Sequence, residues 1–481
     1  MEMKKQVLMT LFAAATSLQA FAGGYLTNTN QNAAFVRNFA QEGTITLTSI
    51  YANPAGGGFL SDGWHLSLNS QTAIQQRNIE TTFPLFQRNV NNHDQTHEFK
   101  GKAVAPIVPS FTLSYNQDKW SVSAHFAVVG GGGKCEFDKG LGSFEAAYSG
   151  ILEQRVPAAL PLLLTKGLME KGMDYPTASA LAATGTYDGY SMNSFMKGNS
   201  YYFGLQVGGT YKFLDNLVGY LGVRGVYASC NYNGAVNPSI SYSIPAAGTF
   251  PGANGTAALN NYGIELNCDQ TGFGVSPIIG VDWEINKHWN VSAKYEFHTR
   301  INLKNKSEIN IAEEVMTQAA PIIGQFADGE KVREDIPAML ACGVQYSPIE
   351  AVRLSAGYHQ FFDTSSKKYN DKQELIDHNT HEILVGAEYD INKFVTISAS
   401  WEKTFYGQSD AFMNDLSFNL TNNMVGGGVR LHPSKYFNVD LGYMCTFYKD
   451  REVTTQTAAG PKTDLYKRKN HTIGIGFNLY L

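Results

Sequence analysis

The chain has 481 residues, of which 16% are charged and 12% aromatic, and its formal net charge is −5. Soluble domains carry about 25% charged residues, so this chain has too few charges for a surface that faces only water. A bundle of membrane helices is excluded, because the mean hydropathy is −0.22 and no charge-free apolar stretch of about 18 residues follows the extreme N-terminus. The aromatic content excludes disorder. The charge balance argues against nucleic acid as a partner.

The first residues have the pattern of a secretory signal. Lys4 and Lys5 precede an apolar run over residues 7–15, and Ala20-Phe21-Ala22 provides small residues around a cleavage site. We therefore expect residues 1–22 to be a signal peptide and the mature chain to begin at Gly23. Without a cysteine at that position, no lipid anchor is expected there.

Alternation with a period of two dominates the rest of the chain. Over residues 120–128, for example, apolar side chains occupy every second position and Ser121, Ser123 and His125 occupy positions between them. The same pattern recurs fourteen times between residue 63 and the C-terminus. The last segment, residues 471–481, resembles the closing strand of outer-membrane barrels, although it ends in Leu481 where Phe is common.

The connections between the predicted strands alternate strictly between short and long. Short polar turns lie at 116–119, 214–216, 286–288, 347–350, 390–393 and 432–435, and long loops are centred on 78–102, 134–199, 231–269, 304–334, 363–378, 406–421 and 449–469. This asymmetry is typical of an all-β, 14-stranded antiparallel transmembrane β-barrel with partly helical extracellular loops. A soluble β-sandwich also alternates, but aromatic residues here cluster near strand ends, where the interfacial girdles of a membrane barrel lie. We therefore expect residues 63–481 to form a monomeric barrel in the bacterial outer membrane.

Residues 23–62 do not alternate and precede the first strand. They are either a periplasmic tail or a plug folded into the lumen. Apolar residues such as Phe35, Phe39 and Ile50 would be poorly hidden in a free tail, so the plug is favoured.

Five short motifs carry a family resemblance. Asn53-Pro54-Ala55 stands just before the first strand, and the others lie in later strands: Gly272–Gly280, Ser292–Tyr295 in the strand over 289–306, Asp335–Tyr346 and Leu354–Tyr358. Together they resemble the FadL/TodX-type outer-membrane transporters of long-chain fatty acids and other hydrophobic compounds. The resemblance implies passive uptake without a cofactor or enzymatic step. It also implies an apolar groove between extracellular loops, an internal pocket and an N-terminal plug beside a kinked strand.

Two segments match this implied route, and each has a plainer interpretation. Gly130, Gly131, Gly132 and Gly133 follow an apolar strand and either bend it to form a lateral opening or act as a loop hinge. The long loop that follows is apolar, and its side chains either form a docking surface for hydrophobic molecules or pack the loop onto the barrel. These side chains are Ile151, Leu152, Val156, Leu160, Leu162, Leu163, Leu164 and Leu168.

Charged residues and cysteines complete the candidates. Arg224, Lys294 and Arg353 are predicted to face the lumen, where they either bind a carboxylate head group or form ordinary ion pairs of the wall. Five cysteines are an odd number for an oxidising compartment. Cys230 and Cys268 flank one loop with the same parity, which is compatible with a disulfide. No metal-binding spacing such as C-x-x-C occurs.

The sequence therefore favours a channel over an enzyme. Its expected partners are hydrophobic small molecules, such as fatty acids or aromatics, and outer-membrane lipid. A surface adhesin that uses the long loops is the alternative, and a barrel hydrolase is a weaker one because no Ser/His/Asp set has a recognisable context.

Overall fold

The computed structural model describes residues 32–247, 250–312 and 324–481, and gives only the backbone at 132, 133 and 261. The predicted signal peptide, residues 1–22, lies outside the described residues, as do residues 23–31 of the predicted plug. In the described part of the chain no helix is both long and apolar enough to cross a bilayer.

A single antiparallel sheet closes on itself. The first strand pairs with the second on one side and with the last on the other, from His65 opposite Tyr480 to Thr82 opposite Thr463. The strands are β1 (Gly63–Thr82), β2 (Thr96–Gln117), β3 (Trp120–Phe137), β4 (Thr186–Leu214), β5 (Leu217–Ile244), β6 (Ala253–Ala258), β7 (Ile264–Asn286), β8 (Trp289–Glu296), β9 (Asn302–Ile311), β10 (Lys331–Arg333), β11 (Met339–Ile349), β12 (Val352–Phe361), β13 (His381–Asn392), β14 (Val395–Phe405), β15 (Asn422–Ser434), β16 (Phe437–Tyr448), β17 (Arg451–Thr457) and β18 (Gly460–Tyr480).

These segments build fourteen wall strands, as predicted. β8 and β9 are successive parts of one wall strand, and β10 and β11 are parts of the next, each interrupted for five residues. β6 and β17 pair only with the outer ends of β5 and β18. We call the barrel end with the short connections the turn end and the opposite end the loop end.

Helices are confined to the N-terminal segment and the loops. The α-helices are α1 (Ala33–Arg37), α2 (Gly142–Glu170) and α3 (Tyr175–Ala182). The 3-10 helices are Leu47–Ser49, Ala55–Phe59, Pro84–Arg88, Asn260–Tyr262, Gly324–Phe326, Asp363–Ser365, Tyr369–Leu375 and Asp410–Phe412. Helical loops therefore accompany the barrel, as the sequence predicted.

The two faces of the wall differ as the alternation predicted. Large apolar side chains point outward and are exposed, among them Trp64, Leu68, Leu205, Phe273 and Ile473. Inward positions near the turn end are polar and buried, such as His65, Ser67, Thr112 and Ser292. An apolar outer face with a polar inner face is the pattern of a barrel whose exterior meets hydrocarbon.

Two strands are much longer than the sequence indicated. β4 and β5 have 29 and 28 residues, whereas about ten suffice to cross a bilayer. Their outer halves, residues 186–199 and 231–244, were predicted to belong to long loops, although apolar residues alternate with polar ones over 231–244. In the structure these halves continue the pairing of β4 with β5 and pack against α2 and α3.

Candidate functional site

Residues 32–62, the N-terminal segment, lie inside the barrel near the turn end. The segment is irregular, so its carbonyl groups need partners from elsewhere. Side chains of the wall provide them: Asn116 donates to the Gly57 carbonyl at 2.7 Å, Asn290 to that of Gly43 at 2.9 Å, and Gln71 to that of Asn32 at 3.0 Å. The polar inner face at the turn end is thus the seat of this segment.

A belt of inward glycines receives the first part of the segment. The belt runs over strands β11 to β18, and its members lie in register or diagonally between neighbouring strands, as Gly343 opposite Gly357 and Gly428 opposite Gly442. A Cβ atom added at any of them would come within 3.0 Å of an atom of residues 33–42. Backbone and side-chain atoms of the segment therefore lie directly against the backbone of the wall. The glycine belt consists of Gly343, Gly357, Gly386, Gly426, Gly428, Gly442, Gly474 and Gly476.

Buried ion pairs fix the same part of the segment. Arg37 Nε lies 2.7 Å from Asp440 Oδ1, and the Arg37 guanidinium also contacts Glu388. Glu42 Oε1 lies 2.8 Å from His359 Nε2. Arg37, Glu42 and Asp440 are each at most 2% exposed, so these pairs are shielded from water and salt.

The Asn53-Pro54-Ala55 motif joins the segment to β7. Pro54 is the N-cap of the 3-10 helix Ala55–Phe59. The Asn53 side chain accepts the Gly56 N–H at 3.0 Å and donates both to the Thr44 carbonyl and to Asp282 on β7. Ala55 packs against Val218 and other apolar residues of the wall. The motif thus connects the N-terminal segment to the wall. Asp282, its hydrogen-bond partner on β7, was not predicted from the sequence.

Beyond the segment, towards the loop end, the barrel interior becomes apolar. Inward side chains of the wall and apolar side chains of the loops form one continuous buried cluster, which we call the apolar interior. It includes Ile79, Phe83, Phe86, Phe99, Val129, Phe137, Leu141, Met196, Tyr202, Val226, Tyr232, Leu303, Phe326, Met339, Phe361, Met413, Leu416, Phe418 and Tyr466. An apolar lumen of this extent is the opposite of the polar interior of a porin.

A charged group lies where the apolar interior meets the N-terminal segment. Arg224 and Lys294 both bind Glu296, with N–O distances of 2.6 Å, and all three side chains are about 3% exposed. Tyr51 of the segment covers them, with its ring centroid 4.7 Å from Arg224 Cζ and its carbonyl 2.8 Å from Lys294 Nζ. The group holds two cations and one carboxylate, and Arg224 Nε has no hydrogen-bond partner in the described part of the chain.

Arg353, the third predicted head-group contact, lies elsewhere. It is near the turn end, where Nε binds Glu388 at 3.0 Å and Nη2 binds Asp390 at 2.7 Å. A cavity of about 560 Å³ opens beside it, lined by residues 37–46 of the N-terminal segment and by strands β11 to β15. The structure therefore brings Arg224 and Lys294 together but places Arg353 in a separate site near the turn end.

The predicted glycine run coincides with a break in the wall. β2 and β3 are paired from the turn end as far as Ser110 and Ala127, and pairing resumes only at Ala103 and Cys135. Residues 104–109 and 128–134 therefore have no partner across this seam, and β3 also changes register with β4 at Gly130 and Gly133. Gly131 has φ +106°, and a Cβ atom there would clash with the Ser200 carbonyl.

The neighbouring strand contributes to the same gap. Pro106 and Pro109 on β2 have no N–H to donate, and the side chain of Ile107 between them is 73% exposed. Sequence reasoning missed these prolines, although two prolines in one strand are a recognisable signal for lost pairing. Gly204 on β4 lies between Val129 and Arg224, since a Cβ atom there would be within 3.3 Å of both. The gap is therefore next to the charged group.

The predicted docking loop forms a lobe beyond the barrel. Leu152, Val156, Leu160, Leu164 and Leu168 recur every four residues along α2 and are buried against α3 and the outer halves of β4 and β5. Ile151 is buried as well, whereas Leu162 is 76% and Leu163 is 40% exposed. Packing of the loop thus accounts for six of the eight residues.

The proposed disulfide is wrong: Cys230 and Cys268 are both free thiols. They lie on paired strands, but Cys230 is opposite Gln270 and Cys268 is opposite Tyr232. The two cysteines lie on the same face of the sheet but are two positions out of register. Equal parity was therefore insufficient to predict a disulfide. Among the described residues no group of three or more His, Cys, Asp or Glu side chains is arranged to hold a metal ion.

Comparison with known proteins relates this architecture to solved barrels. No family model and no curated protein matches the sequence. Among solved structures, a FadL homologue of Pseudomonas aeruginosa has a TM-score of 0.61 at 13% identity, covering 95% of this chain and 99% of the other. The Pseudomonas putida toluene transporter TodX has a TM-score of 0.54 at 13% identity, covering 95% and 100%. The Ralstonia pickettii toluene transporter TbuX gives 0.50 at 13% identity, covering 97% and 100%.

The fold and the occupied lumen define a closed β-barrel that holds an N-terminal segment in its interior. The particular fold is that of the FadL/TodX-type transporters, as the sequence motifs predicted.

Proposed function

We propose that this protein is an outer-membrane channel for passive uptake of hydrophobic molecules, such as long-chain fatty acids or aromatic hydrocarbons. The observation that carries the proposal is the apolar interior, because a lumen lined by Phe, Leu, Ile and Met side chains favours cargo that leaves water readily. The FadL homologue and the toluene transporters that share the fold are consistent with it.

The route follows from the three parts of the site. A hydrophobic molecule captured between the loops enters the apolar interior. The N-terminal segment, residues 32–62, acts as a plug that blocks the axial path towards the turn end. The gap between β2 and β3 offers a lateral exit, and its exposed apolar side chains suit passage towards hydrocarbon.

Arg224 and Lys294 are proposed to receive the head group of an ionised cargo. Two cations share the single carboxylate of Glu296, so the group carries a net positive charge. The unpartnered Arg224 Nε can donate a hydrogen bond to the carboxylate of a cargo molecule. No covalent chemistry is required of the protein, which acts as a channel.

Uptake of labelled compounds tests the proposal. A strain lacking the gene should take up labelled oleate and labelled toluene more slowly than its parent, and plasmid-borne protein should restore both rates. Equal rates in the deletion strain and its parent would overturn the proposed function.

A variant separates ionised from neutral cargo. Arg224→Gln leaves Lys294 and Glu296 as a balanced pair, so we expect the fold to survive, oleate uptake to fall and toluene uptake to persist. The control is Arg300→Gln, because Arg300 is exposed in the break between β8 and β9. If Arg224→Gln lost oleate and toluene uptake to the same extent, while Arg300→Gln lost neither, the head-group assignment would be contradicted.

A further inference from the structure

Lys372 lies in the loop between β12 and β13, within the 3-10 helix Tyr369–Leu375. The two residues before it, Asn370 and Asp371, have φ +52°, a left-handed conformation that Asn and Asp tolerate better than most residues. The Gln373 side chain holds this turn, accepting the Lys368 N–H at 2.8 Å and donating to Asp371 at 3.1 Å. The turn buries Lys372, which is only 7% exposed.

The Lys372 ammonium is buried against an aromatic ring. Its Nζ lies 4.2 Å from the centroid of Phe412 and has no hydrogen-bond partner in the described part of the chain. Buried polar groups nearly always have such a partner, and a cation–π contact replaces only part of the lost hydration. The site therefore lacks an acceptor.

The neighbouring charges do not supply one within hydrogen-bond distance. Glu334 is the carboxylate that faces Lys372. Its Oε1 atom is bound to Lys368, and its Oε2 atom is buried without a hydrogen-bond partner in the described part of the chain. The three residues Glu334, Lys368 and Lys372 thus leave one positive charge without a counter-ion among them. Burial lowers the pKa of Lys372 to about 7, so a bound anion would restore its charged form.

The ammonium stands at the rim of the apolar interior. Tyr369 packs against that cluster, and Met413, which follows Phe412, belongs to it. Lys372 is thus close to the loop end, whereas Arg224 and Lys294 lie where the cluster meets the N-terminal segment. The apolar interior consequently has a cation at each end.

We propose that Lys372 forms an anion-binding site for the carboxylate of an amphiphilic molecule whose apolar chain lies in the apolar interior. This inference rests on the proposed function and adds a site at which ionised cargo is held on entering. The shared chemistry is a carboxylate, which either an amphiphile or a small organic acid can supply. The apolar surroundings favour the amphiphile, because a small acid gains no hydrophobic contact there.

Binding of three probes to the purified full-length protein tests the site. Oleate carries both chain and charge, methyl oleate carries the chain without the charge, and acetate carries the charge without the chain. Lys372→Met keeps the length of the side chain and removes its charge. Lys367→Met is the matched control, because Lys367 lies in the same loop but is exposed and paired with Asp371.

We expect Lys372→Met to weaken oleate binding about tenfold, the size of one charge-assisted hydrogen bond, and to leave methyl oleate binding unchanged. Lys367→Met should bind all probes like the parent protein. Unchanged oleate binding in Lys372→Met would overturn the inference and leave the proposed function intact. Failure of the parent protein to bind either oleate or methyl oleate would overturn both, and acetate competing with oleate at equal concentration would assign the site to small acids instead.

Discussion

Arg37 and Asp440 are 403 positions apart in the chain and form a buried ion pair inside the barrel, with 2.7 Å between Nε and Oδ1. Asp440 also binds Arg430, at 2.8 Å, and Arg37 also contacts Glu388. The N-terminal segment is thereby joined to β13, β15 and β16. This network links the segment to three strands of the wall through buried charges.

Removing Asp440 should destabilise the protein more than removing Arg37. Asp440→Ala leaves Arg37 and Arg430 buried near each other without their shared carboxylate, and we expect a loss of about 3–5 kcal/mol in the free energy of unfolding. Arg37→Met should cost less, because Asp440 keeps Arg430 and Glu388 keeps Arg353. Urea unfolding in detergent, followed by the gel shift of the folded barrel, measures both.

The control for this prediction is Asp410→Ala, since Asp410 pairs with Arg451 at an exposed site. Its loss should be about 0–1 kcal/mol. Similar losses for Asp440→Ala and Asp410→Ala would contradict the role assigned to the buried network.

Filling the glycine belt should displace the N-terminal segment. In Gly442→Val, the added Cβ atom would lie 2.9–3.1 Å from its three nearest neighbours, which are backbone and Cβ atoms of Arg37 and Val36. We expect the segment to leave its seat and the conductance of single channels in planar bilayers to rise. Gly225→Val is the control, because a Cβ atom there meets only the Phe273 ring at ordinary contact distance. Unchanged conductance in Gly442→Val would show that the segment does not close the channel.

The break in β3 should depend on the conformation of Gly131. Gly131→Ala forces a side chain into φ +106° and against the Ser200 carbonyl, whereas Gly172→Ala meets a comparable φ of +91° with no neighbour within 4 Å. We expect Gly172→Ala to cost on the order of 1–2 kcal/mol and Gly131→Ala to cost more. Oleate uptake should fall only in Gly131→Ala if the gap is the exit, and equal uptake by both variants would speak against that route.

The buried amine of Lys372 should make stability depend on pH. Its folded-state pKa of about 7 is below the ordinary value of 10.5, so between these values the unfolded chain binds a proton that the folded chain does not. The free energy of unfolding therefore rises with pH between about 7 and 10.5. The destabilisation caused by burying the Lys372 ammonium is fully present below pH 7. Lys372→Met should raise the melting temperature at pH 6 and change it little near pH 10.5. Glu334 and Lys368, the charged groups that face Lys372, are present in both the parent protein and the variant. An equal rise in melting temperature at both pH values would contradict the burial of the Lys372 charge.

Five free thiols should be countable. Denatured protein, prepared without reductant, should react with five equivalents of a thiol reagent because all five cysteines are unpaired. Reductant should leave the melting temperature unchanged. Three equivalents instead of five would indicate one disulfide.

The number of wall strands followed from the sequence because a wall with an apolar outer face and a polar inner face imposes alternation on every strand. In the outer half of β5 the apolar residues stand at even positions, such as Ile240 and Ile244, whereas the exposed apolar residues nearer the turn end stand at odd positions, such as Leu221 and Val223. This change follows from packing of the inner face against α2 and α3. The apolar residues of α2 admitted two interpretations, docking or packing, and six of the eight are packed in the structure.

The site was predictable only in parts. Arg224 and Lys294 were identified from parity, since a charge within an apolar strand must face inward. The sequence did not predict that Glu296 pairs with both cations, because that contact depends on the register of the strands. It did not predict that Tyr51 covers them, because that contact depends on the path of an irregular segment. The glycine belt was not recognised, because its members are distant in sequence and become neighbours only across the closed sheet.

The glycine belt also constrains the order of assembly. Its members lie on β11 to β18, which leave the ribosome last, whereas the residues they receive are among the first. The N-terminal segment therefore has no complete seat until the final strands have paired, so this chain folds around its own beginning.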